Sequence, residues 1–478
     1  MTADRSGPDL SAPANAEAKQ SAKIEGLTPN LAQEDAAVTG ILLVGGASSR
    51  FGSPKALAEF RGETLAERAW RTLGEACEER IAVGKESDGL ELPFTVLDDG
   101  SEDRAPIHGL LAGLRAASSD VSVVLPVDCP LVTADALREL GDARAVPQTG
   151  PLPGAYERAH IAELERRITQ GDLSLRGVNP NVLELDETLL LNVNTRSDLV
   201  AAAIADWASE RDDVHAAVVV GSRARTLEPA DRWSDLDVFL VVDDPEPYVA
   251  DGAWVAEFGR PVLTFVEPTA VGRKRERRVL YESGEDVDLP LVPLAALDLL
   301  ESPEVAPVIA RGYRALVDKI GLEQRLRAAS GHAPIAAAPT QAELTELASD
   351  VWYHALWSAK KLRRGEVFTA KQCIDGYLKA RLVTLLQWHA RAVDPATETW
   401  HAGRFLERWA DPGALAALED AYARYDVREV ARALWATIDL WEVLEAETAS
   451  RLGLAVELDH SELRARIAEV VPDARVRL

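Results

Sequence analysis

The sequence predicts an α/β protein: a doubly wound, mostly parallel sheet first, a second α/β domain next, and a helical domain last. Three observations predict it. Short apolar runs alternate with helical patterns over residues 38–205. A second set of apolar runs starts at "DVHAAVVVGS" and extends through "PVLTFVE" and "EDVDLPLVPL". Beyond a break at "ASGHAPIAAAPTQ", apolar residues recur at helical spacing only. The 478 residues suit two to four domains at roughly 100–200 residues each. The expected division is a tail at 1–37, α/β domains at 38–205 and 206–330, and a helical domain at 331–478.

Taken in order, the N-terminal stretch is rich in Ala, Ser, Pro and charge, without the apolar region of a secretory signal, and reads as a disordered tail. "AVTGILLVGG" is a strand running into glycines, and "LAERAWRTLGEAC" a helix. "RIAVGK" and "VSVVLPVDCPLV" are strands, with "LLAGLRAAS" and "TADALRELG" as helices beside them. Near the C-terminus, "ELTELASDVWYHALWSAKKLRR", "AKQCIDGYLKARLVTLLQWHA" and "VREVARALWATIDLWEVLEAETAS" are amphipathic helices. Tryptophans on such faces usually belong to the core.

Composition sets bounds on function. With 47% hydrophobic and 27% charged residues the chain reads as an ordinary globular protein. No run approaches the ~18 apolar residues of a membrane span, so no membrane partner is expected. Three scattered cysteines form neither a disulfide framework nor a zinc site, and a reducing cytoplasm is the expected location. The net charge of −26 argues against nucleic acid as a partner, which needs basic surface against phosphate. It would suit a cationic small molecule, but the leading reading is a generally acidic, solubilising surface.

Chemistry concentrates in "GSRARTLEPADRWSDLDVFLVV", Gly221 to Val242. Asp235 and Asp237 share a strand face with Phe239 and Val241, while Leu236, Val238 and Leu240 fill the other. That strand is expected to be buried on both faces, with an acidic mouth. Two carboxylates side by side repel unless a cation lies between them. Gly221-Ser222 follows another apolar strand, where backbone amides and the serine hydroxyl can hold phosphate oxygens. Asp288 offers a third acid, with Asp286 as its competitor on the same face. Such a set can share magnesium with a nucleoside triphosphate. The basic run from Arg273 to Arg278 reads as a solvated face, with phosphate contact as the alternative.

A second constellation lies upstream. "ILLVGGASSRFGSPKAL" is a strand and a glycine-rich loop bearing Gly45, Gly46, Arg50 and Lys55. Glycines allow close backbone approach, and two cations can grip a triphosphate as pyrophosphate leaves. Asp128 ends a buried strand between Pro126 and Pro130, placed to hold magnesium. Asn192 and Asn194 end another run and offer carboxamide oxygens, while Thr195 and Asp198 read as a helix cap.

Both constellations resemble known families. "GSRAR…DRWSDLDVFLVV", "VLYESGEDVDLPLVP", "AKKLRRGEVFTAK" and "LLQWHA" resemble the aminoglycoside 6-adenylyltransferases, over about residues 207–450. The resemblance implies a nucleotidyltransferase fold followed by a helical acceptor-binding domain, and transfer of AMP from ATP to a hydroxyl of an aminoglycoside such as streptomycin. It implies Asp235, Asp237 and Asp288 as catalytic metal ligands, with Gly221, Ser222 and Arg223 near the phosphates. Glu366 and Trp357 are acceptor candidates, or equally ordinary structure.

"LVGGASSRFGSPK", "PVDCP", "NVNT" and "TGPLPGAYER" resemble the molybdenum cofactor guanylyltransferases and related cytidylyltransferases, in which the proline-leucine-proline loop precedes a helix. This implies a glycosyltransferase-A-like sheet and transfer of GMP from GTP, or a CTP-dependent reaction, with molybdopterin as acceptor. Gly45, Gly46, Arg50 and Lys55 would bind nucleotide, and Asp128 with Asn194 magnesium. Val44 stands where alanine is commoner. The expectation is a bifunctional enzyme. The alternatives are other acceptors, or one domain reduced to a non-catalytic nucleotide-binding module.

Overall fold

The computed structural model describes residues 38–45, 51–270, 274–331 and 337–472. It divides into two compact units, Met1–Ala333 and Pro334–Leu478. The described residues of the first unit form a five-stranded and a six-stranded sheet, besides two small two-stranded ones.

The first sheet has strands β1 (Val38–Leu43), β2 (Glu79–Gly84), β3 (Val96–Asp98), β4 (Val121–Pro126) and β5 (Gly154–Glu157), in the order β3-β2-β1-β4-β5. β1 pairs in parallel with β2 and β4, β2 with β3 likewise, and only the edge strand β5 runs antiparallel. Alternation along β1 serves two cores. Ile41 and Leu43 pack with Ile107 and Leu110 of helix α2 (Pro106–Ala116). Leu42 packs with Leu65 and Leu73 of α1 (Leu65–Ala76) and Leu137 of α3 (Ala134–Ala143). That two-sided burial is why the strand reads as one unbroken apolar run. The proline-leucine-proline loop precedes helix α4 (Ile161–Thr169), with β5 between them. Residues 154–157 complete the sheet edge against β4, and Ala155 and Tyr156 are fully buried there.

Helix α5 (Arg196–Ser209) begins at a capping box between Thr195 and Asp198 and connects to the second sheet. The helix runs through residues 205 and 206, where the sequence suggested a domain boundary. It packs with both neighbours: its Ala201, Ile204 and Ala208 share one core cluster with Leu42 of β1 and with residues of the second sheet.

The second sheet has β6 (Val214–Val220), β7 (Leu236–Val242), β8 (Pro261–Pro268), β9 (Arg275–Tyr281), β10 (Asp286–Pro293) and β11 (Arg314–Asp318), in the order β8-β9-β10-β7-β6-β11. β7 and β10 are parallel; the other pairs are antiparallel. Leu236, Val238 and Leu240 face one core, and Phe239 and Val241 the other. β9 carries residues 275–278 of the basic run that the sequence pattern reads as a solvated face, and Arg273 lies outside the described residues. Arg277 is buried instead, donating to the carbonyls of Tyr248 and Val249 and the hydroxyl of Thr264.

The second unit is helical. Its long elements are α6 (Gln341–Arg363), α7 (Lys379–Val393), α8 (Val427–Leu452) and α9 (His460–Val470). Leu344, Trp352, Leu385, Leu434, Trp441 and Ile467 meet in one core. A π-helical turn, Cys373–Leu378, precedes α7. Among the described residues no helix is long and apolar enough to cross a membrane.

Candidate functional site

Parallel pairing of β7 with β10 sets Asp237 directly opposite Asp288. Asp235, just before β7, completes a group in which each carboxylate offers an oxygen within 4.8 Å of the others. Asp288 is the member from the "EDVDLP" segment, and Asp286 is exposed. Burial pushes the Asp288 carboxyl up to about 6, against the opposing pull of Arg278.

The Gly221–Ser222 turn lies against this group. Gly221 has φ of 68°, and a Cβ there would come within 2.2 Å of Asp237 Oδ2, so only glycine leaves room for the aspartate. Ser222 Oγ is buried and has no hydrogen-bond partner among the described residues. Arg223, expected near phosphate, donates through Nε to the Asp235 carbonyl (3.0 Å) and through Nη2 to that of Ser234 (2.6 Å). It anchors the backbone that carries the first aspartate.

Sequence reasoning named Arg278 only as part of the basic run, with phosphate contact as the alternative to a solvated face, and did not foresee its carboxylate neighbours on β8 and β9. Glu276 is buried, and burial raises its carboxyl pKa. Arg278 lies 3.2 Å from Asp288, 3.0 Å from Glu276 and 2.5 Å from Glu267. The only local hint was the i, i+2 spacing of Glu276 and Arg278, which puts them on one strand face.

The upstream constellation assembles at the C-terminal ends of β1 and β4. The Val127 amide donates to the Leu43 carbonyl (3.0 Å), and the Val193 amide to that of Asp128 (2.8 Å). These bonds bring the 192–194 segment beside Asp128. Lys55 Nζ then bridges Asp128 Oδ2 (3.1 Å) and Asn194 Oδ1 (3.0 Å). Asn192 presents its nitrogen to Asp128 Oδ1 at 3.3 Å, so it acts as a donor here rather than offering oxygen. Gly45, Lys55, Asp128 and Asn192 line a cleft of about 300 Å³ together with Val44, Gly84, Lys85 and Asp99. Lys85 and Asp99 form a buried ion pair at 2.9 Å that the sequence did not suggest. Gly46 and Arg50 lie outside the described residues.

Both donor sets fit a hard divalent cation, since they consist of carboxylate and carboxamide oxygens. A side-chain cation already rests on each: Lys55 on the first, Arg278 on the second. In the helical unit, Glu366 is paired with Lys361 (2.7 Å) and Arg364 (2.9 Å), and Lys361 lies over the Trp357 ring.

The streptomycin adenylyltransferase family matches residues 195–468, and the MobA-like NTP transferase domain matches residues 40–177. A "Probable molybdenum cofactor guanylyltransferase" of Aquifex aeolicus is 32% identical over 173 residues, 33% of this chain and 86% of that protein. One from Pelotomaculum thermopropionicum is 30% identical over 188 residues, covering 35% and 92%. Among solved structures, an aminoglycoside 6-adenyltransferase from Bacillus subtilis is 16% identical, covers 57% of this chain and 97% of its own, and has a TM-score of 0.28. Molybdopterin-guanine dinucleotide biosynthesis protein A from Archaeoglobus fulgidus is 22% identical, covers 36% and 100%, and has a TM-score of 0.31. The chain is a nucleotidyltransferase that belongs to the streptomycin adenylyltransferase family over residues 195–468 and to the MobA-like, molybdenum cofactor guanylyltransferase family in its N-terminal third.

Proposed function

We propose that the chain is bifunctional. Its first site transfers GMP from GTP to the terminal phosphate of molybdopterin. Its second transfers AMP from ATP to a hydroxyl of an aminoglycoside such as streptomycin, with the helical region at 331–478 binding that acceptor. The observation that carries this reading is the convergence of Asp235, Asp237 and Asp288 beside the Gly221–Ser222 turn.

Magnesium, when bound by these carboxylates or by Asp128 and Asn194, supplies the charge that neutralises a triphosphate. The chain's own groups do the rest. The amides after Gly221 and the buried Ser222 hydroxyl hold phosphate oxygens. Arg223 keeps the Asp235 backbone in place, so the α-phosphate stays in line with the acceptor hydroxyl and pyrophosphate departs on the opposite side. At the first site Lys55 and Gly45 face the nucleotide in the cleft. The three cysteines are unpaired and buried, which suits a reducing compartment such as the cytoplasm.

One observation favours a second reading of the first site. The Val44 side chain lies over Gly84, its Cγ2 2.7 Å from where a Cβ on that glycine would stand, and both residues line the cleft. That bulk favours a smaller base, and CTP in place of GTP.

Calorimetric titration with magnesium GTP, CTP and ATP tests the two-site account. Asp128→Ala is expected to lose GTP or CTP binding and keep ATP; Asp237→Ala is expected to do the reverse. Binding unchanged in both variants contradicts it. Binding without pyrophosphate release at one site reduces that domain to a sensing module.

A further inference from the structure

We propose that Arg278 is a displaceable cation of the second site: it holds Asp288 and Glu276 in the free protein and exchanges Asp288 for the triphosphate when metal and nucleotide enter. The inference rests on the reading of this site as a metal–nucleotide site.

Strand register places Arg278 for this role. On β9 it stands opposite Asp288 of β10 on one side and opposite Phe265 of β8 on the other. Asp288 in turn stands opposite Asp237 of β7. One row across the sheet therefore runs from the aspartates to Arg278 and on to the exposed rim, where Phe265 and Glu267 lie.

The contacts span floor and rim. Nη2 reaches Glu276 at 3.0 Å and Asp288 at 3.2 Å, both carboxylates under 10% exposed, while Nε reaches Glu267, 39% exposed, at 2.5 Å. The Arg278 side chain is 37% exposed, so it can pivot about its rim contact without opening the core.

Charge supplies the reason to move. A divalent ion held by Asp235, Asp237 and Asp288 needs a carboxylate that Arg278 already engages. Arginine cannot relieve the repulsion by losing its proton. Its planar fork fits phosphate oxygens as well as carboxylate oxygens, so the same N–H groups can pass from one to the other. Lys55 is placed alike at the first site, bridging the two oxygens proposed for metal there.

Mn²⁺ titration read by electron paramagnetic resonance tests the inference, using the full chain carrying Asp128→Asn so that the first site is out of the readout. In that background Arg278→Gln is expected to bind Mn²⁺ about tenfold more tightly without nucleotide, because a like charge has left. With Mn²⁺ present it is expected to bind ATP about tenfold more weakly, because a phosphate partner has left. Mn²⁺ affinity equal to or weaker than that of the Arg278 protein overturns the inference. Asp237→Asn separates the two failures. If it abolishes Mn²⁺ binding and Arg278→Gln changes nothing, only the displaceable cation is wrong; if it leaves Mn²⁺ binding intact, the metal reading itself fails. Should Arg278→Gln not fold, Arg278→Lys serves: one ammonium cannot span three carboxylates, so tighter Mn²⁺ binding is again expected, and unchanged affinity overturns the proposal.

Discussion

Gly221 meets two demands at once, a left-handed backbone and contact with the Asp237 carboxylate. Alanine there would strain the backbone by about 1–2 kcal/mol and push the aspartate aside. Gly221→Ala is therefore expected to lower ATP-dependent transfer about 100-fold, the effect of misplacing a reacting group by roughly 1 Å. GTP binding at the first site should be untouched; pyrophosphate assay and calorimetry check the two halves. Glu445 makes a different residue-level case. It is 1% exposed on α8, accepts from Trp441 Nε1 at 3.0 Å and lies 3.3 Å from His460 Nε2. Burial pushes its carboxyl up to about 7, with Glu442 adding to the shift. The folded value exceeds the ordinary 4.5, so its stabilising contribution is complete below about pH 4.5 and is lost as pH rises through about 7. Glu445→Gln keeps the acceptor for Trp441 and removes the titration. In urea unfolding it should gain about 2 kcal/mol more at pH 8 than at pH 5. An equal gain at both pH values contradicts this account.

Among the elements, α5 has the widest reach. Asn194 of the first site immediately precedes its cap, and Lys319, just after β11, closes its other end by donating to the carbonyls of Ala208 (2.8 Å) and Arg211 (2.6 Å). Asp206 on the same helix pairs with both Arg61 and Arg68 at 2.7 Å. Asp206→Asn removes the carboxylate that Arg61 and Arg68 share, leaving Arg61 with Glu210 (2.8 Å) and Arg68 with Glu63 (3.4 Å), and is expected to cost about 1–2 kcal/mol of stability in urea or heat. A change below ~0.5 kcal/mol would show that the helix is held by its apolar face alone. The elements differ in how plainly the sequence shows them. β1, β4, β6 and β7 are legible because burial on both faces leaves a continuous apolar run. The D-x-D at the mouth of β7 is legible because Phe239 and Val241 break the alternation of a solvated strand. β9 is hidden: the partners that make Arg277 tolerable in the interior, the carbonyls of Tyr248 and Val249, are remote in sequence. β11 is a five-residue edge strand, "RALVD", too short to show a period. Asp128 and Lys55 stand out by motif, but that Lys55 bridges Asp128 and Asn194 follows only from the fold.

At the scale of the whole molecule, the two proposed nucleotide sites lie on two sheets of one compact unit, and the hydrophobic cluster that includes Leu42 also includes Val238. The helical unit has a separate core. The net charge of −26 suits a polycationic acceptor better than a phosphate polymer. The central claim is that the three aspartates of the second sheet carry out metal-dependent adenylyl transfer to such an acceptor. Pyrophosphate release by the full chain with magnesium ATP, with and without streptomycin, tests it most directly. The account predicts release that requires the drug and is abolished in Asp237→Ala. Drug-dependent release that persists in Asp237→Ala would contradict it.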